Sequence, residues 1–114
     1  MRKADAITSL ERQYDRLRRQ LSHLGWISQG SVQDRTARKG GGVGYQWTRK
    51  VAAKTVTVAL TQEQFRKMRQ AVGNYRQLRL LLKEMEKISR SLIFQTTPHT
   101  ARRKKLSRKV LGTM

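Results

Sequence analysis

Four basic residues recur at intervals of seven in the second half of the chain: Arg69, Arg76, Lys83 and Arg90. Residues seven apart stay on one side of a helix, so their charges would form a row roughly 30 Å long. Guanidinium and ammonium groups neutralise phosphates. Residues 1–24 carry only three acids against six bases, so they cannot neutralise this row. The spacing therefore predicts a cationic surface suited to a phosphate backbone.

A second candidate surface lies in GYQWTRKVAAKTVTVALT, residues 44–61, where apolar and polar side chains alternate. We favour Tyr45 and Trp47 as anchors of a small core, and two functional alternatives stay open. In the first, both rings and Arg49 form a platform on which unpaired bases stack. In the second, a two-stranded ribbon enters a duplex groove with its polar face. That face presents Gln46, Thr48, Lys50 and Thr55.

Further basic residues flank this stretch and fill the C-terminal tail. The loop GGGVG could cradle a phosphate, but it lacks the Lys-Ser/Thr of a P-loop, and a linker is the favoured interpretation. We predict that the cations of this loop, of the hairpin and of the tail contact phosphates. They are Arg35, Arg38, Lys39, Lys54, Arg102, Arg103, Lys104, Lys105, Arg108 and Lys109.

Groups for catalysis or metal binding do not come together in the sequence. The chain has seven acids, two histidines and no cysteine. His23 and His99 are isolated, with no evident nucleophile or orienting acid. Without cysteine, disulfides and thiolate metal sites are excluded. We therefore predict a protein with no catalytic residue, no metal and no cofactor.

The first element that positions these residues is an N-terminal helix over residues 4–24. Its apolar residues are spaced by alternating steps of three and four, which is typical of a coiled-coil seam. We expect Gly25 to end this helix, and Trp26 and Ile27 to fold back onto it. The seam consists of Ile7, Leu10, Tyr14, Leu17, Leu21 and Leu24.

The alternating stretch predicts a β-hairpin with its turn at Ala52-Ala53. This register places Tyr45 opposite Leu60 and Trp47 opposite Val58. Alanine is a poor choice for such a turn, because the favoured types need positive φ and usually contain Asn or Gly.

A long helix over residues 62–94 is predicted to follow the hairpin. Thr61 and Gln64 form a Thr-x-x-Gln capping box at its start. Gly73 and Asn74 are a weak point within it, at which the helix could bend or divide.

Together these elements predict an α+β fold that is mostly helical. The N-terminal helix and the long C-terminal helix would form an antiparallel coiled-coil-like pair, with the β-hairpin between them. Because a two-stranded hairpin is marginal alone, its apolar face must pack on the helices. We expect one domain over residues 1–95 and a basic tail over residues 96–114 that is disordered by itself.

The formal net charge of +19 is spread over every segment of the chain. Such a chain repels itself until a polyanion neutralises it. Nucleic acid is the first candidate and an anionic membrane surface the second, but the narrow apolar stripe of the long helix disfavours the membrane. No apolar run has the character of a secretory signal or a membrane span. We expect a cytoplasmic, nucleoid-associated protein.

An ordered set of motifs runs from ISQGSV through GYQWTRKVAAKTVTVALTQEQ to VGNYRQLRLLLKEMEKIS. Over about residues 5–94, the chain resembles an uncharacterised family of small bacterial and archaeal proteins associated with transposable elements. The resemblance implies a mobile-element setting and a nucleic-acid partner. Many members carry a cysteine-rich stretch suggestive of zinc where this chain has QDRTARKGGG, so no metal role carries over.

The leading hypothesis is a non-enzymatic protein that binds DNA or RNA as an accessory or regulatory component of a mobile genetic element. A transposase or another nucleoprotein enzyme is a candidate partner, as is a second copy joined through the helix seams. The alternative is a coiled-coil interaction module that assembles with itself or with a larger nucleoprotein enzyme.

Overall fold

The structure of the chain, a computed structural model, describes residues 2–36, 44–98, 100 and 105–112. Its elements are α1 (Lys3–Ser22), β1 (Ser31–Asp34), β2 (Tyr45–Val51), β3 (Lys54–Leu60), α2 (Gln62–Thr96) and α3 (Arg108–Leu111). The predicted α+β class, with an N-terminal helix, a hairpin and a long C-terminal helix, is confirmed.

The chain forms two compact units. Residues 24–78 make up the first, here called the sheet unit, and residues 1–23 with 79–114 make up the second, here called the helical unit. The α1 helix and the second half of α2 belong to the same unit, as the predicted helical pair requires. The predicted division between a domain over residues 1–95 and a separate tail stays a prediction.

Helix α1 ends two residues before the predicted limit, at Ser22. The Arg19 carbonyl accepts a hydrogen bond from Ser22 Oγ at 2.6 Å and lies 2.7 Å from His23 Nδ1. These side chains approach a carbonyl of the kind that the last turn of a helix leaves unpaired. Gly25 therefore lies beyond the helix end and does not form it. The predicted seam is half-buried from Ile7 to Leu21.

The hairpin has the predicted register. Tyr45 pairs with Leu60 and Trp47 with Val58 in the antiparallel ladder of β2 and β3. Ala52 and Ala53 form the turn with φ values of 50° and 66°. Positive φ at both central residues matches the right-handed twist of the strands, so the turn has the favoured geometry with unfavoured residues.

A third strand, β1, was not predicted. It pairs with β2 in antiparallel fashion, with Val32 opposite Trp47 and Asp34 opposite Tyr45, which gives the sheet order β1-β2-β3. β1 is four residues long and has one apolar residue. That is too little alternation to distinguish a strand from a loop. The hairpin is therefore part of a three-stranded sheet in which β3 is an edge.

Helix α2 begins at the predicted capping box. The main-chain N–H of Gln64 donates to Thr61 Oγ1 at 3.1 Å, and the main-chain N–H of Thr61 donates to Gln64 Oε1 at 2.9 Å. The helix then continues without interruption through Gly73 to Thr96. Gly73 and Asn74 therefore do not divide it.

Each unit has a small core supplied by α2. In the sheet unit, Phe65, Ala71 and Val72 are buried, and the Phe65 ring lies 4.6 Å from that of Tyr45 between centroids. The apolar face of the hairpin thus packs on the helix at its Tyr45 end. On the edge strand, Val56 and Val58 stay 39% and 41% exposed. In the helical unit, the buried residues are Leu81, Met85 and Ile88.

A short helix, α3, lies in the tail that was expected to be disordered by itself. Ser107 Oγ accepts the Val110 amide at 3.2 Å, and Gly112 ends the helix in the left-handed region with φ of 78°. Arg90 Nη1 donates to the Leu111 carbonyl at 3.2 Å. Residues 107–112, which the sequence alone did not predict to be ordered, are therefore held by the Ser107 cap, the Gly112 helix end and the Arg90 hydrogen bond.

Candidate nucleic-acid interface

The segment between α1 and β1 is tied to the first half of α2 by main-chain and side-chain hydrogen bonds. We call residues 25–30 the strap. Asn74 Nδ2 donates to the Trp26 carbonyl at 2.9 Å, and the Ser28 amide donates to the Ala71 carbonyl at 3.1 Å. Gln29 Nε2 donates to the Tyr75 hydroxyl at 3.0 Å. Asn74 and Tyr75 thus have a structural role at this position.

The strap is also tied to the sheet. Trp47 Nε1 donates to the Gln29 carbonyl at 2.9 Å. Gly30 has φ of 110°, and a Cβ at this position would lie 2.4 Å from Trp47 Nε1. Only glycine permits both the backbone conformation and the close approach of the indole. The indole N–H edge of Trp47 therefore packs against the strap, which agrees with the prediction that Trp47 anchors a small core.

One cation lies over the Trp47 ring. The Arg49 guanidinium carbon is 5.6 Å from the ring centroid, within the range of a cation–π contact. Arg49 is exposed and Trp47 is half-buried. Tyr45, in turn, faces Phe65. The two rings are consequently not a bare platform for stacking, because one has an aromatic neighbour and the other has a guanidinium beside it.

The polar face of the sheet is linked across its strands. Gln46 Nε2 donates to Gln33 Oε1 at 2.8 Å, and the hydroxyls of Thr48 and Thr57 lie 3.3 Å apart. Gln46 and Thr48 are half-buried. Cross-strand bonds of this kind stabilise a sheet and occupy groups that would otherwise meet base edges. Gln46 and Thr48, which were predicted to contact nucleic acid, therefore stabilise the sheet through cross-strand contacts.

The tip of the hairpin carries the exposed cations of the sheet. Lys50 pairs with Thr55 across the ladder, Lys54 pairs with Val51, and Arg49 precedes Lys50 on β2. All three basic side chains are exposed, as is Thr55. The predicted site residues of the hairpin thus form a cationic tip, while Gln46 and Thr48 lie farther along the strands.

The four residues of the predicted row on α2 differ in their surroundings. In the sheet unit, Arg76 is exposed, and the Arg69 guanidinium carbon lies 5.5 Å from the centroid of the Phe65 ring. In the helical unit, Lys83 is exposed. Arg90 is half-buried and contacts both the Leu111 carbonyl and Glu86 Oε2. Arg90 is therefore engaged with its own unit.

Acidic groups engage cations locally on the helices. The pairs Arg18–Asp15, Lys67–Glu63, Lys87–Glu84 and Arg90–Glu86 join residues three or four apart at 2.8 to 3.5 Å. Exposed pairs of this kind contribute at most about 1 kcal/mol each. With 26 basic residues against seven acidic ones, most of the positive charge of the chain has no acidic counterpart.

The other predicted cations lie in the loop and the tail. Arg35 is exposed, and its amide donates to the Gly44 carbonyl at 2.9 Å. Lys105 and Lys109 are exposed, and Arg108 begins α3. The structure does not describe the remaining predicted residues. These are Arg38, Lys39, Arg102, Arg103 and Lys104.

One tryptophan, Trp26, has its side chain exposed to solvent. Trp26 is 81% exposed and Ile27 is 48% exposed, so neither is buried as their apolar character had led us to expect. The apolar character of tryptophan favours burial, and no local pattern marks it as exposed. Gly25 and Ser28, which flank Trp26 and Ile27, do not continue the helical spacing of α1 or the alternation of a strand. This break in the pattern was the signal in the sequence that the segment is neither helix nor strand.

No match is found for this chain among models of protein families, curated proteins or solved structures. Within the residues that the structure describes, no three histidine, aspartate or glutamate side chains group as metal ligands. No helix in the described ranges combines the length and apolarity that crossing a bilayer requires. The interpretation of the site therefore depends on its own geometry and charge.

Proposed function

We propose that this chain is a non-enzymatic nucleic-acid-binding protein whose exposed cations contact the phosphate backbone. The observation that carries the proposal is the excess of exposed basic side chains on the sheet unit. Among the residues of 24–78 that the structure describes, eight basic side chains are exposed, against two acidic ones. One of the two acids, Glu63, pairs with Lys67 at 3.4 Å, and both side chains of that pair are more than 60% exposed.

The hairpin tip and the exposed residues of α2 supply the contacts in this proposal. Arg49, Lys50 and Lys54 present their charges beside the turn, on strands that pair in a regular ladder, so little backbone ordering is needed on binding. Arg76 and Lys83 supply further phosphate contacts from α2. Arg90 contributes less, because its guanidinium already has a carbonyl and a carboxylate as partners.

The resemblance noted above supports the biological setting that we propose. In that setting the protein is an accessory or regulatory component of a mobile genetic element, located in the cytoplasm with the nucleoid. A transposase or another nucleoprotein enzyme is the protein partner of such a component.

The experiment that tests the binding function is a salt titration of the affinity of the purified, nucleic-acid-free protein for DNA and RNA. If about six phosphates are neutralised, the logarithm of the association constant falls with the logarithm of salt with a slope of about −4 to −5. A slope near zero, or no binding at low salt, contradicts the proposal.

A second candidate function, an interaction module that self-assembles, is supported by exposed apolar side chains on the second half of α2. Leu80 is 60%, Leu82 44% and Ile93 53% exposed. Sedimentation of the nucleic-acid-free protein distinguishes the two functions. A stable dimer that Leu80→Glu dissociates, with no retardation of DNA or RNA in a gel, favours the interaction module.

A further inference from the structure

Trp26 stands out because its backbone is held while its side chain is exposed. Its carbonyl accepts from Asn74 Nδ2, and two residues later the Ser28 amide donates to the Ala71 carbonyl. The side chain is nevertheless 81% exposed. A held backbone limits the positions that the indole can adopt, so a ligand that meets it has little ordering to induce.

The indole borders a groove in the sheet unit. The groove has a volume of about 340 Å³, near the lower limit of the range of about 300 to 1,000 Å³ for small-molecule sites. Its walls come from the strap and from the first half of α2. The lining residues are Gly25, Trp26, Lys67, Gln70, Ala71 and Asn74.

The chemistry of the lining favours a planar, polar and anionic occupant. One wall carries the Trp26 ring, and the helix wall carries the Lys67 ammonium and the carboxamides of Gln70 and Asn74, of which Asn74 already donates to the Trp26 carbonyl. Nucleobases have a π-face for the ring and polar edges for the amides, and a phosphate follows each base. The Lys67 ammonium pairs with Glu63 at 3.4 Å, and because both side chains of this pair are exposed, a phosphate can replace the carboxylate at small cost.

We propose that this groove binds an unpaired base of a single-stranded nucleic acid, which stacks on Trp26 while Lys67 contacts an adjacent phosphate. The proposal rests on the nucleic-acid-binding function proposed above and adds a preference for unpaired strands. It also moves the stacking surface from Tyr45 and Trp47 to the strap. An uncharged amphipathic protein segment is a poorer occupant, because it brings no anion to the Lys67 ammonium that lines the groove.

The test compares binding of a single strand and a duplex to three variants. The probes are an oligothymidylate of about 16 nucleotides, at the upper end of single-strand site sizes, and its duplex with oligoadenylate, both measured in the cold so that the duplex persists. Trp26→Ala removes the stacking ring, Trp26→Phe keeps an aromatic face, and Ile27→Ala is the matched control, since Ile27 is the exposed neighbour in sequence. Because Trp26 is exposed, the unfolding temperature should be unchanged in Trp26→Ala.

We expect Trp26→Ala to weaken single-strand binding by about 5- to 150-fold, the effect of losing one stacked base, and to leave duplex binding unchanged. Trp26→Phe should retain most of the affinity, and Ile27→Ala should bind as the parent protein does. Tryptophan emission of the parent protein should be quenched by the single strand. In Trp26→Phe, whose remaining tryptophan is Trp47, the quenching should disappear.

Two results overturn the stacking proposal in different ways. If Trp26→Ala binds the single strand as the parent protein does, or loses single-strand and duplex affinity equally, the groove is not a base-stacking site, while salt-dependent binding still supports the proposed function. If the parent protein binds neither probe at low salt, the proposed function fails and the groove proposal fails with it.

Discussion

Asn74 and Trp26 are joined by a hydrogen bond of 2.9 Å from the side-chain amide of the helix residue to the main-chain carbonyl of the strap residue. Forty-eight positions separate the two residues in sequence. The bond places the strap against α2 within the sheet unit. A Cβ at Gly25 would lie 3.2 Å from the same Asn74 nitrogen, so the two segments are in close contact.

Asn74→Asp should loosen the strap, because a carboxylate cannot donate to the Trp26 carbonyl. We expect a loss of about 1 to 2 kcal/mol in the free energy of unfolding, measured by urea denaturation. Gln77→Glu is the matched control, since Gln77 is an exposed amide on the same helix, and it should change stability by less than about 0.5 kcal/mol. Equal effects of the two substitutions would show that the hydrogen bond does not hold the strap.

Two glycines should respond to alanine with opposite signs. At Gly30, a Cβ would lie 2.4 Å from Trp47 Nε1 and 2.7 Å from the Thr48 carbonyl, on a backbone with φ of 110°. Gly30→Ala should therefore cost more than about 2 kcal/mol. Gly73 is exposed in α2, and a Cβ there would have no neighbour within 4 Å.

Gly73→Ala should stabilise the protein by about 0.5 to 1 kcal/mol, because it restricts the unfolded chain and restores helix propensity. The midpoints of urea unfolding for both variants, measured side by side, check the pair. A neutral Gly30→Ala would mean that the strap can move away from the indole. A destabilising Gly73→Ala would mean that another group occupies the open space beside α2.

The sequence predicted correctly those parts of the fold that are set by residues close together in the chain. The register of the hairpin follows from the alternation around Tyr45 and Trp47, because a shift by one residue would exchange the two faces of the sheet. The start of α2 follows from Thr61 and Gln64, whose reciprocal bonds span only three residues. Both signals are contained within a few neighbouring positions.

The missed features depend on contacts between residues far apart in sequence. β1 is defined by its pairing with β2, which begins only at Tyr45, and Val32 alone gives no alternation. The exposure of Trp26 follows from the bonds of the strap to α2, which the sequence near Trp26 does not indicate. The same limit applies to the candidate site, since residue type alone assigned this tryptophan to the core.

The hairpin turn should be improvable by residues that accept positive φ. Ala52 and Ala53 adopt φ values of 50° and 66°, a conformation that costs roughly 1 kcal/mol for each residue with a Cβ. Replacing the pair by Asn-Gly removes this strain but gives the unfolded chain the extra freedom of a glycine. The net effect should be a rise of about 1 kcal/mol in the free energy of unfolding. Thermal unfolding followed by circular dichroism measures the change.

Ala59→Gly is the control for the turn variant. Ala59 is an exposed residue within β3, where glycine should lower stability by about 0.5 to 1 kcal/mol. If the Asn-Gly variant is no more stable than the parent protein, the strain in the Ala-Ala turn is relieved by some other contact.

The cations of α2 should differ in their share of the salt dependence. Arg76 and Lys83 are exposed, whereas Arg90 contacts the Leu111 carbonyl and Glu86. Arg76→Gln and Lys83→Gln should each reduce the log–log salt slope by about 0.9, the value for one duplex phosphate contact. Arg90→Gln should change the slope less, because its guanidinium already has partners, and it should destabilise α3 instead.

Salt titrations of the three variants on one duplex, with the parent protein beside them, measure the slopes. Circular dichroism of each variant checks that the helices persist. A larger slope change for Arg90→Gln than for Arg76→Gln would mean that Arg90 leaves its internal partners to reach phosphate, and that α3 is displaced when nucleic acid binds. Unchanged slopes for both Arg76→Gln and Lys83→Gln would remove α2 from the interface and leave the hairpin tip and the tail to carry it.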